Sequence, residues 1–265
     1  MVLSDLARRL EFHEAWSSGE HARVQAQLYP ETGASTDPFA GGCAVYCGKR
    51  SPLSQAYGGG LSGPVPATDL DRVESFFRSR EVTPRIRLCP LADPSLPQLL
   101  GKRAYIVQDR MNVYARRIDR LDDEPPALPA LSIQIATPEE ARLWFEQEGA
   151  GGDWAEPDGL TFMTIRCTLK ADTRLFLALL DGQPVSAGAL EIHAGVAALM
   201  AAGTLPAFRN QGIHTALLHA RLAAAAKASC DLALVHTRPG AASQRNVMRA
   251  GFQIVYSVET MVSSS

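Results

Sequence analysis

The chain has 265 residues, of which 46% are hydrophobic and 20% charged, and its formal net charge is -2. This balance excludes a disordered chain and leaves room for two domains of ordinary size. The charge argues against a nucleic-acid binder, which would present a basic face, and no run of about 18 apolar residues is available to span a membrane.

The first residues, MVLSDLARRLEFHEAW, carry charges throughout, unlike a secretory leader. Five cysteines (Cys43, Cys47, Cys89, Cys167, Cys230) make an odd number with no C-x-x-C pair. Reduced, mostly buried thiols of a cytoplasmic protein are expected, without disulfide or metal. YGGGLSG (57–63) matches no phosphate-binding spacing followed by Lys-Ser/Thr and reads as a flexible turn. The helix after it, ATDLDRVESFFRSR, sets Leu70, Val73 and Phe77 at i, i+3, i+7. The arginines of RSREVTPRIR read as a solvated face.

RLDDEPPALPA (120–130), acidic and then proline-rich, reads as a linker. It suggests domains over 1–119 and 132–265, joined by 120–131. Beyond it, GAGGDWAEPDG (149–159) is an acidic glycine-rich loop. RLFLALLDG and QPVSAGALEIHAG form two strands joined at Asp-Gly, a hairpin signal. VAALMAAGTLP is a third strand, and TLPAFRNQGIHTALLHARLAAAAK leads into an alanine-rich helix. CDLALVHT is a strand, AASQRNVMRAG a short helix ended by Gly251, and FQIVYSVETMV an alternating strand that closes the sheet.

Shifted back by 147 positions, Gly251-Phe252 falls on Ala104-Tyr105, FQIVYSVETMV on YIVQDRMNVYA, and the alanine-rich helix on ATDLDRVESFFRSR. Two readings stand: coincidence of ordinary strand-helix-strand units, or tandem duplication of one fold. The shift sets Arg209 to Gly212 over Ser62 to Val65, where Pro64 offers no N–H.

The N-terminus of the alanine-rich helix has unpaired N–H groups and the positive end of a dipole, a ready anion site. Gly212 at its lip admits close approach of a phosphate. An ordinary strand-to-helix turn is the alternative. The segment Arg209-Asn210-Gln211-Gly212-Ile213-His214, with Pro206 upstream, resembles the acetyl-CoA loop of the GCN5-related N-acetyltransferase (GNAT) superfamily. The order of elements from Arg174 to Val262 and the QRNVMRAGF turn are also similar to that family. The resemblance covers the second half well and the first as a worn copy. It implies an α/β (α+β) protein of two tandem GNAT-like domains, each a mixed, mostly antiparallel sheet flanked by helices. The first would lack a phosphate loop.

The resemblance further implies acetyl-CoA as cosubstrate, held by Gly203, Thr204, Leu205, Arg209, Asn210, Gln211, Gly212, Ile213, His214 and Thr215. Ser243 and Asn246 would bond the pantetheine arm, although Ser243 reads equally as a helix cap. His214 stands where the family has Gly or Ala, so its ring either turns away from the pyrophosphate or donates to it. The implied reaction is direct acetyl transfer to a small amine, with no nucleic-acid or membrane partner; monomer and homodimer stay open.

The family's usual acid and base are absent: no Glu lies between Val196 and Thr204, and Val247 stands where a Tyr is common. Substitute catalytic candidates are Glu191, which shares a strand face with His193 and would face solvent or a cleft, His236 at the end of its strand, and Tyr256, which would reach the sulfur. Asp153, Glu156 and Asp158 would favour a cationic acceptor. The missing pair also leaves a non-catalytic CoA-binding module as the alternative.

Overall fold

The computed structural model describes residues 2–118, 128–149, 165 and 170–264. Two compact units form: Met1–Val113 with Ile254–Ser265, and Tyr114–Gln253.

The first unit runs α1 (Leu3–Leu28), β1 (Ser35–Phe39), β2 (Gly42–Tyr46), β3 (Gln55–Tyr57), α2 (Ala67–Arg78), β4 (Arg85–Leu88), α3 (Ser95–Lys102) and the start of β5 (Tyr105–Arg117). Phe39, Leu70, Val73, Phe77, Ile86, Leu96 and Leu100 form its core, and Leu70, Val73 and Phe77 are the stripe expected on α2. The strand order is β1-β2-β3-β4-β11-β5, where β11 is Gln253–Ser263. β11 pairs antiparallel with β4, from Glu259↔Leu88 to Val262↔Arg85.

The second unit holds the end of β5, then β6 (Leu131–Ile135), α4 (Pro138–Gly149), β7 (Thr173–Leu180), β8 (Gln183–His193), β9 (Val196–Thr204), α5 (Ile213–Lys227), β10 (Leu232–Thr237) and α6 (Ala242–Arg249). Its order is β5-β10-β9-β8-β7-β6. The Asp-Gly hairpin forms as expected: Asp181 (φ 50) and Gly182 (φ 79) take the left-handed pair that matches strand twist. Alternation along β7 serves both faces. Phe176 and Ala178 pack with Leu217 and Leu222 of α5, while Leu175 and Leu177 pack with Ala141 and Trp144 of α4. Sheet and helices together make the mixed, mostly antiparallel α/β fold expected from the sequence.

Shifting by 147 residues carries α5, β10, α6 and β11 onto α2, β4, α3 and β5 with ends agreeing to within about two residues. Ala104 (φ 55) and Gly251 (φ 82), paired by that shift, both take left-handed backbone. The packing units differ from the expected division in one respect. The last strand, expected to close the sheet of the second half, lies in the first unit, and the end of β5 lies in the second. Period-two alternation says that a strand has one buried face; it does not say which neighbour supplies the ladder. Among the described residues no helix is long and apolar enough to cross a membrane.

Candidate active site

β9 and β10 run parallel and pair from Val196↔Leu232 to Ala198↔Leu234, then part, although they continue to Thr204 and Thr237. β9 stays with β8 as far as Thr204↔Ser186, and a register shift falls between Ala187 and Ala189. Ala201 and Ala202 there oppose the single residue Gly188, a β-bulge, and Ala201 is left-handed (φ 49). A bulge bends its strand and raises its twist, which carries the end of β9 away from β10.

Past β9 a short 3₁₀ turn, Pro206–Phe208, leads to α5. Asn210 (φ 63) and Gly212 (φ 82) are left-handed, and no side chain caps the helix. Among the described residues the backbone N–H groups of Asn210 to Thr215 meet no acceptor; the first helical bond is Ala216 N–H to Gly212 O. These donors and the helix dipole converge on one mouth. Arg209 braces it, its Nε donating to Thr204 O at 3.1 Å, and Gln211 Nε2 donates to Ala207 O at 3.3 Å. Leu205 N–H already donates to Val185 O, and Gly203 O accepts from Ser186 Oγ at 2.7 Å. Of the Gly203–Leu205 backbone expected to help hold the cosubstrate, these two groups are therefore engaged within the protein.

His214 is half-buried rather than exposed, and its Nδ1 is buried without a partner among the described residues. Burial, and then the positive Arg221, hold its pKa below the ordinary imidazole range. Ile213 is buried and Thr215 half-buried. Ser243 and Asn246 are half-buried, three apart on α6. Ser243 is not the cap: Ala241 occupies that position, and no side chain caps the helix.

The three catalytic candidates separate. Glu191 faces neither solvent nor a cleft. It is 0% exposed, its Oε2 bound by Lys170 Nζ and by Thr173 Oγ1 at 3.0 Å. A buried carboxylate survives only when paired in this way. Tyr256 is buried in the first unit, its hydroxyl donating to Glu11 Oε1 at 2.9 Å. Burial and the Glu11 charge push its pKa far up, so its proton is held. Its expected reach to a thiolate thus gives way to a core hydrogen bond. His236 remains, half-buried at the carboxyl end of β10 where β9 has departed. Val247 is core. Asp153, Glu156 and Asp158 lie outside the described residues.

No motif marks Lys170, Gly188 or Arg221. Arg221 is 1% exposed on α5; Nε donates to Leu217 O, and Nη1 to Ala189 O and Met200 O at 3.1 and 3.3 Å. Its spacing from Leu217 and Ala225, four residues each way along an apolar face, is the signal that was available.

The corresponding segment of the first unit makes several bonds within its own chain. Pro66 occupies the N-cap position of α2 without a side-chain cap, Gly60 N–H donates to Ala40 O, and Val65 N–H donates to Ser95 Oγ at 2.8 Å. A Cβ on Gly59 would stand 2.3 Å from the Phe39 ring, so the loop lies flat on that side chain.

Residues 138–252 match the profile of the Acetyltransferase (GNAT) family. That stretch, 115 of the 265 residues, is similar to GNAT-family acetyltransferases. A GCN5-related N-acetyltransferase from Kribbella flavida is similar in structure at TM-score 0.66 and 22% identity, over 92% of this chain and 95% of that one. A tandem GNAT protein from the clavulanic acid biosynthesis pathway superposes at 0.58 and 15%, over 83% and 72%. A GCN5-related N-acetyltransferase from Sphaerobacter thermophilus gives 0.58 and 16%, over 74% and 66%. These likenesses speak to the fold. No curated protein matches the chain by sequence. Within the matched residues, the parted strands and the uncapped helix lie in consecutive elements, β9, α5 and β10.

Proposed function

We propose that the GNAT domain transfers an acetyl group from acetyl-CoA to a small amine. The observation that carries this reading is the open mouth of α5 beside strands that part after Ala198 and Leu234. The N–H groups of Asn210 to Thr215 would hold the pyrophosphate, with Gly212 leaving room for it and Arg209 fixing the loop. The pantetheine arm would lie between β9 and β10, with Ser243 and Asn246 beside it. A thioester places a good leaving group at the end of that arm. The amine lone pair adds to the carbonyl carbon, forming C–N and moving the π pair onto oxygen. The pair then returns, C–S breaks, and sulfur leaves with its electrons and takes up a proton. The ammonium proton goes to a base. His236 is the side chain best positioned for that role, with water as the alternative. An N–H on β9 would stabilise the oxyanion.

The second reading, a CoA-binding module without catalysis, is favoured by Glu191 and Tyr256 being held in internal bonds and by Val247 in the core. Thiol release from acetyl-CoA across a panel of primary amines, run beside calorimetric titration with CoA, decides. Binding with turnover above the uncatalysed rate supports the transferase; tight binding with background release on every amine supports the module.

A further inference from the structure

The β9 bulge is underpinned by a buried cation with no carboxylate partner among the described residues. Arg221 reaches from α5 to the pair Ala189↔Met200, the last before the register shifts, and its Nη1 takes both carbonyls. Glycine at position 188, opposite the bulge, leaves the space in which the guanidinium sits. A Cβ there would stand 2.8 Å from Cζ and from Nη1 and 3.2 Å from Nε. Burial lowers the Arg221 pKa to about 10, which still leaves it charged at neutral pH. A methionine of similar length would fill such a site without a desolvation cost.

The peptide between Met200 and Ala201 is planar and trans. With the Met200 carbonyl drawn toward Arg221 and β8, the Ala201 N–H is aimed the opposite way. That is the side on which β9 has left β10. A cation on the oxygen of a peptide also polarises it and makes its N–H a stronger donor.

We infer that Arg221 is a positioning residue for acetyl transfer: seated in the space left by Gly188, it holds the Met200–Ala201 peptide so that the Ala201 N–H points at the thioester carbonyl oxygen. This rests on the transferase reading above. Arg221 touches no reacting atom; it acts through one peptide and should matter little to coenzyme affinity, which the α5 mouth supplies.

The test uses the full chain with CoA and with acetyl-CoA labelled with ¹³C at the carbonyl, on wild type, Arg221→Met, Arg221→Lys and Gly188→Ala. Calorimetry reads affinity, infrared difference spectra read the bound carbonyl stretch, and initial rates read kcat and KM separately. In wild type the carbonyl band shifts to lower frequency on binding. In Arg221→Met it returns toward the free value, kcat falls ~30- to 100-fold, somewhat less than on losing an oxyanion donor outright, and CoA affinity stays within about threefold. Gly188→Ala, which keeps the arginine but displaces it, gives the same pattern; Arg221→Lys recovers part of the band shift and of kcat. The Gly188→Ala and Arg221→Lys arms decide the matter if Arg221→Met does not fold. Folded variants with the wild-type band and kcat overturn the inference and leave the transferase reading standing. A wild type that binds no coenzyme overturns that reading and the inference with it.

Discussion

The pair Lys170–Glu191 separates a structural carboxylate from a catalytic one. Both side chains are 0% exposed, and Thr173 supplies a further hydrogen bond to the same oxygen. Lys170→Met leaves the carboxylate buried without its cation, a change that costs about 3–5 kcal/mol. With an m-value of roughly 2 kcal/mol/M in urea, the unfolding midpoint of the second unit should fall by about 1.5–2.5 M. Replacing both partners, Lys170→Met with Glu191→Leu, removes the stranded charge and should recover most of that loss. Circular dichroism in urea measures both. Initial rates on the folded double variant then give the decisive number: kcat within a few-fold of wild type. A folded double variant with kcat down ~100-fold, and with the acidic limb of the pH–rate profile gone, would show that Glu191 is the general base after all. An unchanged midpoint in the Lys170→Met variant would refute the burial energetics.

At Gly212, φ is 82, so Ala keeps the N–H but carries about 1–2 kcal/mol of strain, and CoA affinity should fall up to ~10-fold by calorimetry. Pro removes the donor and locks φ near -65°, so Gly212→Pro should lose measurable binding; retained affinity would show that the anion site is elsewhere. Tyr256→Phe removes one hydrogen bond to a charged group and should lower stability by roughly 1.5–3 kcal/mol in urea while leaving kcat within about twofold. His214 titrates below 6.5 in the folded protein because of burial and Arg221. The unfolded chain therefore takes up its proton first on acidification. This contribution to stability is complete above about pH 6.5 and is lost as pH falls from there toward the lowered value. Melting temperatures at pH 7.5 and 5.5 should differ less for His214→Asn than for wild type.

Most of the second unit was legible from local pattern. Asp181-Gly182 specifies a hairpin, the alanine-rich helix begins at Gly212, and Gly251 ends the short helix because it alone tolerates left-handed backbone cheaply there. The repeated order of elements was legible for the same reason: periodicity is a local property and survives divergence of sequence. Side-chain roles were less legible. Glu191 and His193 share a strand face on spacing alone, yet nothing in the spacing announces that Lys170 closes over Glu191.

The amino-acid order by itself determined the kinds of elements, their succession, and the mouth of α5, since each depends on residues within a turn or two of one another. Tertiary structure alone decided three things: that β11 joins β4, that Tyr256 spends its proton on Glu11, and that Arg221 enters the gap left by Gly188. Each joins residues at least 33 positions apart. The energy that selects such partners, burial of apolar surface and satisfaction of polar groups, exists only once the chain has closed on itself.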